Sequence, residues 1–244
     1  MFFYKSLIFS LFSLTFVTVR TQDDEIFLNL LDGGLTPMQN FKADLYLVEN
    51  KIQEVGSEKV DLKLYYECLC GPCRNFDTSI FKPTVEKLAS YLDVHLYPYG
   101  NAKTIDYGNG TFEIKCQHGP EECYGNKLHA CAIDHLGNIT KAVIFNSCLM
   151  EKSRTDHGSN DEATDECGKR MNVDSEWIKQ CAKGDRGNQL LKYYGDESNK
   201  VEYKGVPWVL INGVANLQEN FFEAVCAAFK TPPPECTQIV LINK

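Results

Sequence analysis

The sequence predicts an α/β protein: a strand–helix–strand unit first, a closing strand and helix last, and a helical, cysteine-rich stretch between them. Three observations carry that reading. Residues 60–66 alternate apolar and polar side chains and run straight into apolar residues spaced by four. Residues 206–213 form a second apolar strand with its own four-spaced helix behind it. Eleven cysteines among 244 residues, six of them between positions 101 and 200, require disulfides or metal.

The elements follow in order. Residues 1–20 open with Lys5, run uncharged and apolar over 6–19, and end at Arg20 before Asp23, Asp24 and Glu25. That core is too short for a bilayer about 30 Å thick, which takes about 20 residues. It reads as a secretory signal peptide, cut loosely around 18–22 where Thr18 and Thr21 supply small side chains; an uncleaved anchor is the alternative. No other stretch has the length and apolarity of a span, so none is expected in the mature chain. Residues 21–59 are an N-terminal segment of mixed character. The domain proper covers 60–230, with an insertion at 101–200, and 231–244 form a tail.

Val60, Leu62, Leu64 and Tyr66 alternate with Asp61, Lys63 and Tyr65, so one strand face is buried. Phe76, Ile80, Leu88 and Leu92 then recur at multiples of four, with Val85 near the same face, which predicts a helix over 73–92 kinked at Pro83. A short strand over 93–99 completes a βαβ unit, hence a parallel pair with a right-handed crossover. In the insertion, 127–136 and 175–182 are short amphipathic pieces among Gly- and Asn-rich turns. Near the end, Leu217, Phe221, Val225 and Phe229 predict a helix that Pro232-Pro233-Pro234 stops.

Composition narrows the function. Charged residues at 24% and hydrophobic residues at 43% exclude a disordered or collagen-like chain. A net charge of −8 leaves no basic surplus to displace phosphate counterions, so no nucleic acid is expected as partner. The sequons Asn109-Gly110-Thr111 and Asn138-Ile139-Thr140 make Asn109 and Asn138 candidate glycosylation sites, in keeping with an oxidising secretory route.

The chemistry concentrates at Cys70-Gly71-Pro72-Cys73, directly after the first strand and at the start of a helix. A helix N-terminus carries about half a positive charge, which favours a thiolate on Cys70 and lowers a pKa of about 8.5 in free cysteine. Cys73, one turn on, is placed to attack a mixed disulfide formed at Cys70. Pro72 suits an early helical position, where its missing N–H costs little. The alternative is half of a zinc site, but no second Cys-x-x-Cys exists to complete it. Val206-Pro207 supplies the other half of a thioredoxin-like site. There a cis-proline strand edge offers backbone groups to an extended substrate, so Val206 and Pro207 are candidate substrate-binding residues. The bland alternative is a proline that starts an edge strand.

Within the insertion, Cys116-Gln117-His118-Gly119-Pro120-Glu121-Glu122-Cys123-Tyr124-Gly125-Asn126, followed by Cys131, matches C-Q-H-G-x-x-E-C-x-x-N-x-x-x-x-C at every fixed position. On this string the chain resembles the gamma-interferon-inducible lysosomal thiol reductase family. The likeness runs from about 60 to 230, through Tyr97-Pro98-Tyr99-Gly100-Asn101-Ala102, Gly184-Asp185-Arg186-Gly187 and Val206-Pro207-Trp208. It implies a thioredoxin-like fold with a helical, disulfide-rich insertion between the βαβ half and the cis-Pro strand. It also implies Cys70 and Cys73 as the catalytic pair, disulfide reduction in acid, and a lysosomal or secreted location.

Read from its residues alone, the signature looks structural: Cys116, Cys123 and Cys131, with Cys148, Cys167 and Cys181, staple an insertion too irregular to build its own core. Those six could pair internally in fifteen ways. His118 could instead join the cysteines in a zinc site, although the gaps are longer than a zinc knuckle and no metal is expected. His95, His129, His135 and His157 read as surface or satisfied core residues, and the acidic run 161–166 as a solvated face. Tyr65 and Tyr66 pack the first strand. Setting the Cys-x-x-Cys pair aside leaves nine cysteines, an odd number. If Cys226 and Cys236 close the proline-rich turn, Cys68 is left free; two-residue spacing would put it on one strand face with Cys70, able to bond Cys73 or a substrate, the alternative being a small buried hydrophobe on the strand.

The expected activity is thiol–disulfide exchange, reducing protein disulfides with electrons from a small thiol or dithiol and no cofactor. The rivals are a secretory-pathway oxidase or isomerase, and a secreted binding protein whose Cys70–Cys73 bond is inert. The Gly71-Pro72 dipeptide leans toward reduction.

Overall fold

The structure, a computed structural model, describes residues 15–20, 25–30, 59–152, 158–217 and 219–237. The chain divides into two units, residues 1–54 and 55–244. In the first, β1 (Thr15–Arg20) pairs antiparallel with β2 (Glu25–Leu30). The expected signal peptide and N-terminal segment otherwise lie outside the described residues, as do His157 and the last seven residues of the tail.

The second unit is organised around β3 (Val60–Tyr66), whose Val60, Leu62, Leu64 and Tyr66 are all buried. A helical segment follows: α1 (Gly71–Phe76), a π turn (Asp77–Phe81) and α2 (Lys82–Leu88). The disturbance expected at Pro83 appears as that π turn in the residues just before it, because a ring without an N–H breaks the i→i−4 ladder. The helix also stops at Leu88, not Leu92. Leu92 opens β4 (Leu92–Pro98), where Leu92, Val94 and Leu96 alternate with outward residues; a spacing of four satisfied the helical period as well as the strand's.

Strand β4 lies parallel to β3, with Val60 opposite Leu92, which makes the βαβ unit. After it, β5 (Lys103–Asp106) and β6 (Phe112–Lys115) form a separate antiparallel hairpin. Among the described residues of the insertion, five helices follow: α3 (Pro120–Leu136), α4 (Ile139–Lys152), α5 (Asp161–Met171), α6 (Ser175–Lys183) and α7 (Asp185–Ser198). The chain then returns through β7 (Trp208–Ile211), antiparallel to the other edge of β3, and β8 (Val214–Asn216), giving the sheet order β4-β3-β7-β8. Strand β7 starts two residues after the expected Val206, and the turn expected at its end falls at Asn212 and Gly213, which take positive φ before β8. The closing helix α8 (Phe221–Ala227) starts after Asn220 at φ 49°, which leaves Leu217 79% exposed and outside it. A single turn, α9 (Pro234–Thr237), ends the described chain.

Two hydrophobic clusters fill this unit. One joins β3, β4 and β7 to Phe76, Phe81, Val85, Leu88, Phe221 and Val225. The other belongs to the insertion, where Leu128, Phe145, Leu149, Ile178, Leu191 and Tyr194 are buried together with Tyr99. The expectation that the insertion builds no core of its own is therefore overturned. The amphipathic pieces expected at 127–136 and 175–182 fall in α3 and α6, while Glu122, Gly125 and Asn126, polar or glycine at buried positions, obscured the first half of α3. Three disulfides add to that core: Cys116–Cys123, Cys131–Cys181 and Cys148–Cys167. A fourth, Cys226–Cys236, closes the proline-rich turn, and Cys68 is free. The acidic residues of the 161–166 run sit on the surface of α5, with Asp165 2.7 Å from Lys179 and Asp161 2.5 Å from Lys183.

A buried polar chain ties the two clusters together. Tyr66 Oη lies 3.0 Å from His129 Nδ1, His129 Nε2 lies 2.9 Å from Ser159 Oγ, and Asn146 Nδ2 donates to Tyr66 Oη at 3.2 Å. Burial lowers the His129 pKa to about 3, and burial raises that of Asp77, in the π turn, to about 7. The two act oppositely on stability. Unfolded His129 takes up a proton below about pH 6.5 that the native state refuses, so its contribution is lost as pH falls. Native Asp77 keeps a proton that the unfolded chain releases above about pH 4, so its contribution is lost as pH rises toward 7. Asp77→Asn removes the second effect. Its stability relative to wild type is expected to rise by about 1.4 kcal/mol for each pH unit between about pH 4 and 6.5. Urea unfolding of both proteins at three pH values in that range checks it, and parallel curves would sink the assignment.

Candidate active site

Cys70 occupies the N-cap of α1 in extended conformation, φ −63° and ψ 116°, and Pro72 stands in the first turn, where no donor is lost. Cys70 Sγ accepts the Cys73 backbone N–H at 3.2 Å, and its own thiol points to the Val206 carbonyl at 3.6 Å. The Val206–Pro207 bond is cis. The residues expected to act together from opposite ends of the domain are thus adjacent: β3 delivers Cys70, and the segment before β7 delivers Val206.

The two thiols are unequal. A hydrogen bond from the Cys73 thiol, helped by the Cys73 backbone N–H and by His118, lowers the Cys70 pKa against burial and the Glu67 charge. Cys73 is 1% exposed, and burial pushes its thiol far up, reinforced by its hydrogen bond to Cys70. One sulfur is prepared to be a thiolate and the other holds the proton that stabilises it.

Around the pair stands a set of polar groups that composition and spacing did not place here. Glu67, just past the end of β3, is buried and accepts the Asn101 N–H at 2.8 Å. Gly100 has φ +62°, and a Cβ there would lie 2.2 Å from Glu67 Oε2, so only glycine fits. Asn126 Oδ1 accepts the Cys68 N–H at 2.9 Å, and Asn101 Nδ2 donates to Gln117 Oε1 at 2.6 Å. Glu67, His118 and Glu122 bring their ligand-type atoms within 4.8 Å of one another, as do the more exposed Asp61, Asp93 and His95. In the first group the imidazole itself bridges the carboxylates.

Similarity to known proteins agrees with this geometry. A sequence profile described as "Gamma interferon inducible lysosomal thiol reductase (GILT)" matches residues 61–171. A "Gamma-interferon-inducible lysosomal thiol reductase-like protein" of Anopheles gambiae is 33% identical over 218 residues, covering 82% of this chain and 89% of that protein. A "Gamma-interferon-inducible lysosomal thiol reductase" of Carassius auratus is 32% identical over 77% of this chain and 75% of that one. The chain belongs to the gamma-interferon-inducible lysosomal thiol reductase family. It is accordingly a thiol–disulfide oxidoreductase, which sets aside an inert stapled binding protein. Its fold is thioredoxin-like. MdbA, a thiol-disulfide oxidoreductase from Actinomyces oris, superposes with TM-score 0.52 at 13% identity, over 72% of this chain and 83% of MdbA. Oxidised BdbD from Bacillus subtilis gives 0.51 at 13% identity, over 70% and 88%.

In this member of the lysosomal thiol reductase family, the Cys-Gln-His-Gly signature does more than staple. Cys116 and Cys123 bond to each other, and Cys131 to Cys181, so those sulfurs are not thiolate ligands. Of the residues between them, His118, Glu122 and Asn126 turn toward the segment between β3 and the Cys-x-x-Cys turn, and Gln117 toward Asn101 after β4. Their signal lay in the string itself, whose polar positions have no structural need for His or Glu. Cys68 behaves otherwise than expected. The strand ends at Tyr66, Cys68 is 0% exposed, its Sγ contacts the Glu122 carbonyl at 3.5 Å, and burial raises its pKa. It is free but sealed under α3, as a small apolar side chain and not a reserve nucleophile. Tyr65 stacks on Tyr97 with centroids 4.4 Å apart, which leaves it packing the sheet face.

Proposed function

We propose that this oxidoreductase reduces disulfide bonds of polypeptide substrates in acidic compartments, with Cys70 as nucleophile and Cys73 as resolving thiol. The observation that carries the reading is the Cys70 sulfur itself, at a helix start, accepting a hydrogen bond from Cys73 and lying 3.6 Å from the Val206 carbonyl. Cys70 thiolate attacks one substrate sulfur, forming a mixed disulfide and expelling the other sulfur as a thiolate, which takes a proton from solvent. Cys73 then loses its proton and attacks Cys70 Sγ, releasing the second substrate thiol and leaving a Cys70–Cys73 disulfide. Two electrons have passed to the substrate, and an external small thiol or dithiol restores the pair. An extended substrate chain docks along Val206 and Pro207.

A secretory route to lysosomes or the exterior fits this chemistry. Supporting it are the apolar leader over residues 1–20 and two exposed sequon asparagines. Asn109 lies in the β5–β6 turn, and Asn138 caps α4, its Oδ1 accepting the Lys141 N–H at 2.9 Å. Among the described residues no helix is long and apolar enough to cross a membrane. At pH 5 a thiol of ordinary pKa is thiolate in only about three parts in ten thousand, so a lowered Cys70 pKa is what makes acid turnover feasible. Insulin reduction at pH 5 with a dithiol donor is expected to proceed well above the donor alone. Oxidation of reduced substrate in place of reduction, or no turnover between pH 4 and 7, would overturn the reading.

A further inference from the structure

The attack by Cys70 leaves one neighbouring cluster without a role. Glu67 is 1% exposed and Glu122, in the first turn of α3, is 0% exposed. Both face one imidazole: His118 Nδ1 is 2.6 Å from Glu122 Oε2 and 3.6 Å from Glu67 Oε1, with the His118 side chain 41% exposed to solvent. The cradle is built for charge, since Asn101 N–H donates to Glu67 at 2.8 Å and His118 N–H to Glu122 at 3.0 Å. Burying two carboxylates is costly unless each is compensated, and one imidazolium neutralises only one of them. With both carboxylates ionised around one imidazolium the three groups carry a net charge of −1; with a proton on Glu67 they carry none.

We infer that Glu67 and His118, held together by the buried Glu122 carboxylate, act as one proton-holding group that sets the charge beside Cys70, neutral in acid and negative near neutrality. This rests on the reading of Cys70 as the attacking thiolate and adds what governs it. They are positioning residues, acting through Cys70 and not on the substrate. Among the described residues, the other titratable groups in their field are Cys70 at the N-cap of α1, Cys73 on α1, Cys68 in the turn after β3, and Tyr203 before β7; Asn101 and Gly100 are uncharged. Beyond the Cys73 hydrogen bond and burial, Cys70 feels Glu67 against its thiolate and His118 in favour of it. In return, the His118 pKa is raised by its bond to Glu122 first, and then by Glu67 and by Cys70. Burial raises the Glu67 carboxyl, so its proton leaves later than an ordinary carboxyl's. Each proton lost as pH rises adds negative charge beside Cys70 and restrains further ionisation. The thiolate population therefore climbs with pH less steeply than for an isolated thiol. In acid, where the cluster is neutral, the thiolate meets least opposition.

Pulsed iodoacetamide labelling of the reduced protein from pH 4 to 8, with Cys70 read by peptide mass, tests this. Wild type is expected to give a curve broader than a one-proton titration. Glu67→Gln should sharpen it and raise labelling at pH 7 by about threefold or more. His118→Gln should move the other way, lowering labelling at pH 5 by a similar factor, while Glu67→Asp keeps the broad wild-type curve. Both Gln variants shifting in one direction, or neither shifting, overturns the inference and leaves Cys70 as nucleophile intact. Wild-type labelling that begins only in the ordinary thiol range overturns both readings together. A second measurement needs no variant. By linkage, the His118 ring resonances should titrate at higher pH in reduced than in oxidised protein, and equal midpoints would overturn the inference.

Discussion

Cys70→Ser is expected to bring disulfide reduction to the background set by the small-thiol donor, and Cys73→Ser to stop the cycle one step later. The difference between the two variants is diagnostic. Without Cys70 there is no thiolate at the start of α1, and Cys73, buried and with its pKa pushed up, cannot substitute for it. With Cys70 present and Cys73 gone, attack proceeds and resolution does not, so a covalent adduct with substrate accumulates. The serine hydroxyl can still donate to Cys70 Sγ in place of the Cys73 thiol, so the attacking thiolate is retained. Non-reducing gels with a denatured, disulfide-containing substrate decide it. An adduct through Cys73 in Cys70→Ser, with none through Cys70 in Cys73→Ser, would reverse the assigned roles.

The second large effect concerns the insertion. The Cys131–Cys181 bond joins α3 to α6 across a sequence separation of 50 residues. On the chain-entropy account, closing a loop of that size is worth about 4 kcal/mol, against about 2 kcal/mol for the seven-residue separation of Cys116–Cys123. The double change Cys131→Ala with Cys181→Ala is therefore expected to cost about 4 kcal/mol in urea unfolding. It should also blunt acid reductase activity beyond the stability loss, because α3 is what carries Glu122 and Asn126 to the Cys-x-x-Cys turn. A loss below about 1 kcal/mol would show that the second hydrophobic cluster holds the insertion without its staple.

The sheet and the reactive pair were legible from local pattern. Alternation at Val60, Leu62, Leu64 and Tyr66 specifies β3 because one face must be dry, and Cys-Gly-Pro-Cys at a strand–helix junction specifies a thiolate site through the helix terminus. The cis-proline edge came from order along the chain. The first half of α3 was hidden, because its buried face carries Glu122 and Asn126, and Asn126 finds its partner, the Cys68 N–H, far away in sequence. Helix boundaries near Leu88 and Leu92 were ambiguous for a related reason: a spacing of four fits both periods, and only pairing with Val60 makes Leu92 a strand residue.

By itself, then, the sequence determined the class of chemistry and pointed to the two sulfurs proposed to carry it, both properties of short segments whose physics is local. Tertiary structure alone decided which of fifteen pairings the insertion cysteines adopt. It also decided that Cys68 is sealed, and that Glu67 and Glu122 meet at His118. Those outcomes depend on which surfaces are brought together when β3 and α3 pack, and burial at that contact is what raises the Cys68 thiol and the Glu67 carboxyl above their ordinary ranges.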